Sequence, residues 1–321
     1  MANTTPITAG IDTGKYKLDI AVHTKALRLT VENRLPGYQR IATALQQAGV
    51  SRVGIEATGG YERGVVEHLR AAGFTVILLQ PLRVKAFAKV QMKRAKNDAM
   101  DAALIAACTA FLDPHDTPHD TPHDPRMQPL ADALTFVEQV EADIVRAKTR
   151  LEKTSAPRLR RMITGDIKRL GARKTAELRR IVLALGLHAD LKRRLELVQS
   201  VPGIGERTAL AIVLRMPEIG TISREQAASL AGLAPFDNDS GKHKGERHIA
   251  GGRDRLRRSL YMAALPAAFH WNPALISLYN RLIKRGKSHK LALVAVARKL
   301  LIFANTVVQR GTPWCQGPLP A

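Results

Sequence analysis

The sequence predicts an α/β domain followed by an all-α region. Three observations predict this. Short apolar runs alternate with helical patterns over residues 1–111. Apolar residues then recur at 3-4-3-4 spacing from Leu130. From about Leu197 the chain reads as successive helices broken by glycine turns.

The first unit is read element by element. Ile7 to His23 is β-like around a tight Thr13-Gly14 turn, and Leu27 to Asn33 offers a partner strand. Pro36-Gly37 punctuates the chain, Tyr38 to Ala48 reads as a helix, and Gly49 ends it. Arg52 to Ala57 is a short strand, Glu62 to Ala72 a helix stopped by Gly73, and Thr75 to Leu79 a strand halted by Pro81. Helices from Arg83 and from about Asn97 to Phe111 complete it. Hairpin strands followed by β-α alternation imply a mixed sheet. Asp113 to Pro125 is a tandem His-Asp-Thr-Pro repeat with Pro at every fourth position, which forbids helix and central strand alike. His115, His119 and His123 offer metal-ligand nitrogens, but the spacing reads more simply as an exposed linker. The seam Leu130, Ala133, Val137, Val140, Ile144, Ala147, Leu151 is that of a coiled coil, within one chain or between two. The expected organisation is thus 1–112, a linker over 113–127, a basic coiled-coil arm over 128–196 and a C-terminal domain over 197–321.

Charge narrows the class of function. The 321 residues carry 50 Lys and Arg against 28 Asp and Glu, a net +22, and a polyanionic partner such as DNA or RNA is the usual reason. Residues 146–196 hold 16 Lys and Arg against 5 acids, and Arg253 to Lys299 holds 11 against Asp254 alone. At 4% aromatic residues, stacking on single-stranded bases is not the dominant mode of recognition. No apolar run approaches the roughly 20 residues of a bilayer span, and MANTTPITAG lacks the pattern of a secretory signal. The expectation is a cytoplasmic, nucleoid-associated protein without a membrane partner. Two cysteines, Cys108 and Cys315, are too few for a disulfide framework or a cysteine zinc site.

Four acids stand where chemistry is often done. Asp12 lies in AGIDTGKYKLDIAV on a strand entering a glycine turn, and Glu56 in VGIEATGGYE at a strand end. Asp98 and Asp101 in KNDAMDAALIAA are three apart on a helix and share a face. Such a set suits two Mg²⁺ or Mn²⁺ ions at a phosphodiester, because hard carboxylate oxygens prefer those ions to zinc. Taken singly, each acid also reads as a cap or a surface salt bridge. The strand running into Asp-Thr-Gly is similar, too, to the phosphate loop of actin-like sugar kinases, which would not need +22 of charge.

LVQSVPGIGERTALAIVLRM, from Leu197 to Met216, has the helix-hairpin-helix pattern. There Gly203 and Gly205 permit the turn, and backbone N–H groups of the next helix are free to meet a DNA phosphate. As a structural element alone it would simply pack helices. Downstream, Ser240 sits in a polar loop with Lys242, Lys244, Arg247 and Arg253, followed by Arg257 and Arg258. These cations would stabilise both a serine alkoxide and a pentavalent phosphorus transition state. Alone, Ser-Gly in a loop is a turn.

Read together, the segments resemble the insertion-sequence 110 family of DEDD transposases. GIDTGKYKLDIAV, GIEATGGYE, QPLRVKAFA and KNDAMDAALIA are similar to its RuvC-like domain, of ribonuclease H fold. VPGIGERTA, GLAPFDNDSGKHKGERHI, LRRSLYMAA and NPALISLYNRLIKRGKSHKLALVAVARKLL are similar to its transposase domain. The resemblance spans all but the His-Asp-Thr-Pro linker and the tail after about Val308, and its strength lies in several motifs in the right order. It implies that Asp12, Glu56, Asp98 and Asp101 are the metal-binding tetrad and Ser240 the serine nucleophile. It further implies double-stranded donor and target DNA, a structured noncoding bridge RNA, and a homo-oligomer, dimer or tetramer, whose active site is composite between protomers. Asn97 stands where the family commonly has Thr, and Arg253-Asp254 where it often has Gly-Asn. Two readings compete with a recombinase: a metal-dependent junction endonuclease and a non-catalytic nucleic-acid-binding protein.

Overall fold

The computed structural model describes residues 6–57, 59–91, 98–112, 124–237, 239–240, 243–245 and 247–315; for 98–100, 239–240 and 243–244 it describes the backbone. The His-Asp-Thr-Pro repeat up to His123, and with it His115, His119 and His123, lies outside the described residues, as does Asn97. The chain forms two compact units, Met1–Asp120 and Thr121–Ala321.

In the first unit, strands β1 (Thr8–Thr13), β2 (Lys17–Val22), β3 (Arg28–Glu32), β4 (Arg52–Glu56) and β5 (Thr75–Leu79) form one sheet in the order β3-β2-β1-β4-β5. The pairs β1–β2 and β2–β3 are antiparallel, while β1–β4 and β4–β5 are parallel, so the sheet is mixed as expected. Alternation along the strands assigns two faces. Ile11, Val53 and Ile55 pack with Ile41 and Leu45 of α1 (Leu35–Gln47) and Val65 and Leu69 of α2 (Arg63–Ala71). On the other face lie α3 (Pro81–Val90) and α4 (Asp98–Phe111), where Val84, Phe87, Leu104 and Ile105 enclose Ile77 and Leu79. Pro36 and Pro81, read above as breaks, stand in the first turns of α1 and α3. A first-turn N–H has no helical partner to lose, so proline starts these helices at no cost.

Gly10 and Gly54 decide how close α4 comes to the sheet. A Cβ at Gly10 would lie 2.2 Å from the Ala106 nitrogen and 2.3 Å from the Ala102 carbonyl oxygen. One at Gly54 would lie 1.8 Å from Thr109 Oγ1. Only residues without a side chain let the helix backbone lie directly on the strands.

The second unit opens with α5 (Met127–Lys153) and α6 (Pro157–Gly186), which pack side by side as a hairpin with a three-residue connection. Val137, Val140 and Ala147 of the expected seam are buried, and Leu130, Ala133, Ile144 and Leu151 are half-buried. Leu134 and Val137 share a core with Ile181 and Leu185 of α6. The apolar seam of α5 is thus met within the chain.

Next come α7 (Ala189–Gln199), α8 (Glu206–Arg215) and α9 (Arg224–Leu230). The region that reads as all-helical then holds four two-residue strands, β6 (Pro235–Phe236), β7 (Asp239–Ser240), β8 (His243–Lys244) and β9 (His248–Ile249). β6 pairs with β9 and β7 with β8, both antiparallel, giving a nested hairpin. Helices α10 (Asp254–Pro266), α11 (Pro273–Lys284) and α12 (His289–Arg310) complete the unit. A π-helical turn, Ala267–Trp271, joins α10 to α11, and its i+5 bond runs from the Asn272 N–H to the Ala267 carbonyl at 3.3 Å. Pro266 lacks the N–H that would continue an α-helical ladder, which is a physical reason for the widening.

By length and composition α12 is apolar enough to cross a membrane. Arg298 and Lys299 interrupt its apolar run, which is why the sequence hides it. Leu293, Val296, Leu300, Leu301 and Phe303 nevertheless lie buried in the core of the second unit.

Candidate functional site: strand-end carboxylates and a serine hairpin

Asp12 is the penultimate residue of β1 and Glu56 the last of β4. The parallel register pairs Ile11 with Ile55, so these two acids fall side by side at one end of the sheet. A 3.5 Å bond from the Thr13 hydroxyl to the Glu56 carbonyl closes the same edge. Both are half-buried, and alternation sets them on the face of Gly10 and Gly54, which α4 covers.

The direction of α4 follows from its contacts. Arg52, at the start of β4, donates to the Leu112 carbonyl at 3.3 Å, and the Thr8 hydroxyl donates to the Ala106 carbonyl at 3.3 Å. Gly54 faces Thr109, and Gly10 faces Ala102 and Ala106. The helix therefore runs against β1 and β4, and its beginning lies toward the strand ends bearing Asp12 and Glu56. Asp98 is its first residue and the half-buried Asp101 follows three positions on.

Sequence reasoning missed Asp19, which the β1–β2 register sets directly across from Asp12 and hence on the same face. It is buried; the Thr30 hydroxyl donates to it at 2.5 Å, and Lys17 Nζ stands 3.2 Å away. The signal was the one polar residue inside the apolar run of β2. Among the described residues, no three Asp, Glu, His or Cys side chains gather to hold a metal ion. The side chain of Asp98 lies outside that description. In donor chemistry the four expected ligands suit a hard divalent cation, being carboxylates only.

In the second unit, Ser240 ends β7 at the tip of the nested hairpin, its backbone paired with His243, and Lys244 pairs with Asp239. Gly241 and Lys242 lie outside the described residues. Arg247 Nε reaches Asp237 Oδ1 at 2.6 Å, tying the two arms of the hairpin together.

Other expected phosphate-binding cations have partners inside the protein. Arg253 makes a two-pronged bond to Glu218, 2.7 Å from Nη1 to Oε2. Arg257 donates to the Gly251 carbonyl and to Asp254, and Arg258 reaches Asp254 at 2.8 Å. Arg253 and Asp254 thus both carry ion pairs at the start of α10. Glu138 on α5 receives Arg215 at 2.6 Å and Arg255 at 2.7 Å. Burial pushes the Glu138 carboxyl up, but bonds and charges from both arginines outweigh it and hold the group below the usual carboxylate range.

The Pro202–Gly205 turn between α7 and α8 needs only one of its two glycines. Gly203 has φ +98°, and a Cβ there would lie 2.5 Å from the Ala267 Cβ. Gly205 has φ −78° and open space beside it. Buried Asn272 donates to the Pro202 carbonyl at 3.1 Å, so one side of this turn packs against the π-helical turn. The N-terminus of α8 has no side-chain cap, and Gly205 and Glu206 are exposed.

The N-terminal architecture, a mixed five-stranded sheet with acids at its strand ends, is consistent with a ribonuclease H-like domain, and the comparisons with known proteins set the class, that of transposases and recombinases. The family model of DEDD transposases of IS110 type matches residues 9–154, and the model of the IS116/IS110/IS902 transposase family matches residues 195–280. The chain belongs to the IS110 family of transposases. It is 27% identical to the pilin gene-inverting protein of Moraxella bovis, over 95% of this chain and 96% of that one. The pilin gene-inverting protein of Moraxella lacunata gives the same identity and coverage. An insertion element IS110 protein of Streptomyces coelicolor is 35% identical over 35% of this chain and 28% of its own length. Family membership implies a DNA substrate and suggests a divalent metal ion.

Proposed function

We propose that this transposase cuts and rejoins DNA with Ser240 as nucleophile, Asp12, Glu56, Asp98 and Asp101 as the metal-binding acids, and a structured noncoding bridge RNA as guide. The observation that carries the acidic half is the antiparallel run of α4 over β1 and β4. It supports a convergence of all four acids on one end of the sheet. There they would hold Mg²⁺ or Mn²⁺, which when bound polarises the scissile phosphate and lowers the cost of deprotonating a hydroxyl.

In the reaction, Ser240 Oγ forms a bond to phosphorus as the bond from phosphorus to the 3′ oxygen breaks. The serine gives up its proton and the leaving 3′ oxygen gains one. Attack by another 3′ hydroxyl reverses the step on a new strand, so no phosphodiester energy is lost between cutting and joining. Lys242, Lys244 and Arg247 supply positive charge around the hairpin tip. The α7–α8 turn, read as a helix-hairpin-helix with Gly203 and Gly205, and Arg253, Arg257 and Arg258 line the DNA path. In this reading the segments are a catalytic domain over 1–112, a linker over 113–127, a basic coiled-coil arm over 128–196 and a transposase domain over 197–321. Homo-oligomers would bring the serine of one protomer to the acids of another, on DNA in the cytoplasm at the nucleoid.

The test is recombination between donor and target plasmids with the purified full chain, with and without RNA transcribed from the sequence flanking the gene. Product that requires the RNA is expected. RNA-independent product would remove the guide from the account. A junction endonuclease using the same acids and water would leave free ends and no protein joined to DNA.

A further inference from the structure

A positive surface with exposed rings lies at the corner between α11 and α12. No Asp or Glu follows Asp254 in the chain, whereas eleven Lys and Arg do. The basic arm differs in this respect, since Arg146, Arg169 and Arg180 each pair with an acid three residues earlier. At the corner, Arg285, Lys287 and Lys290 are exposed and have no ion pair among the described residues. The corner is also ordered. The Gly286 N–H bonds to Ile283 and that of Lys287 to Leu282, both closing α11, and Ser288 caps α12.

Three rings stand at this corner. Phe269, from the π-helical turn, lies edge-on to Tyr279 with centroids 5.0 Å apart and stacks near His289 at 6.4 Å and 23°. The Tyr279 hydroxyl and His289 Nδ1 are hydrogen-bonded at 2.7 Å, which holds the cluster together. Phe269 remains 45% exposed, so one part of the cluster has no cover. His289 lies between Lys287 and Lys290 in sequence, so the rings and the cations share one corner.

We propose that this corner binds unpaired nucleic acid, with a base stacked on Phe269 and its flanking phosphates on Arg285, Lys287 and Lys290. The proposal rests on the chain's handling of nucleic acid and on neither the carboxylates nor Ser240. An aromatic face is useful only for a base whose own face is free, which favours a single strand over a duplex. A second copy of the chain is a poor occupant, because a symmetric contact would bring the same cations together. The π-helical turn presents Phe269, a role such turns often have at functional sites.

The experiment uses the full chain and fluorescent oligo(dT) of about 12 nucleotides, a length within single-strand site sizes, beside the matching duplex. Phe269→Ala should weaken oligo(dT) binding by about 5- to 150-fold, the loss expected when one base-stacking ring is removed. Duplex affinity should change less than about twofold, and Phe269→Trp should restore the single-strand affinity, which excludes misfolding as the cause. Equal weakening of both ligands, no weakening of either, or failure of Phe269→Trp to rescue would overturn the proposal. A concentration-dependent dimer lost on Phe269→Ala would assign the corner to self-association and overturn it too. Absence of any binding by the wild-type chain would bring down the proposal together with the nucleic-acid reading beneath it.

Discussion

In the N-terminal unit the acids Asp12 and Glu56 end strands at the centre of a five-stranded sheet, and a helix laid on two glycines carries Asp98 and Asp101. In the second unit Ser240 ends a two-residue strand at the tip of a hairpin whose outer ladder is equally short. The acids are positioned by register and packing, which cost nothing further when substrate arrives. The serine is positioned by a few backbone bonds and the Arg247–Asp237 pair. Isolated two-stranded ribbons are marginal in water. Under the proposed function, acids placed by a sheet and a serine on a short hairpin would suit a reaction in which the serine is delivered late.

The largest expected effect tests the rigid half. Asn at Asp12, Asp98 or Asp101 should lower metal-dependent strand cleavage by about 10³-fold or more, since several kcal/mol of transition-state stabilisation depends on the ion. The fold should be unchanged by circular dichroism. Full activity in any one variant would remove that residue from the site.

Next in size is Glu138→Gln, which leaves two arginines around a mostly buried site without their counter-charge. A loss of about 3 kcal/mol is expected in urea unfolding at neutral pH. Because the folded carboxyl titrates below its ordinary value, its stabilisation is present above the unfolded pKa and lost as pH falls through the folded one. The gap between wild type and variant should therefore shrink under acid conditions. A gap independent of pH would show that packing, and not charge, holds α5 to α8 and α10.

Gly10→Ala should cost about 1–3 kcal/mol and also reduce cleavage, because the clash is with the α4 backbone and displaces the helix start. Gly54→Ala should cost less, since Thr109 is a side chain that can turn away. Thermal melts of the two variants in the reverse order would contradict this account of α4. The smallest contrast is in salt. Log affinity for DNA should fall linearly with log salt through the basic surfaces. A salt-independent affinity between about 50 and 200 mM would refute phosphate contact as the source of binding.

Much of the first unit is written in its period-two runs: all five strands and the α4 helix follow from alternation, glycines and prolines. The proposed convergence of the acids is half legible. Strand ends and helix spacing mark Asp12, Glu56, Asp98 and Asp101, but the direction of α4 depends on which strand residues are glycine. Asp19 is hidden because one polar residue in an apolar strand says nothing about its neighbour across the ladder. The strands around Ser240 are too short to show any period. Arg253 reads as a free cation because Glu218 is 35 residues away, a pairing only the fold brings together, whereas Arg257 and Arg258 pair locally with Asp254. Pro266 foretells a disturbed helix but not that the turn widens to expose Phe269.

Under the proposed function the N-terminal acids and Ser240 would act on one phosphodiester, and denaturing electrophoresis of DNA joined to protein is the decisive measurement. The wild-type chain, given its RNA, DNA and Mg²⁺, should yield a denaturant-resistant adduct that maps to Ser240. Ser240→Ala should bind both nucleic acids as the wild type does, yet give neither adduct nor recombinant product. Recombination by Ser240→Ala at the wild-type rate would contradict the account and leave the acids of the N-terminal unit to do the chemistry alone.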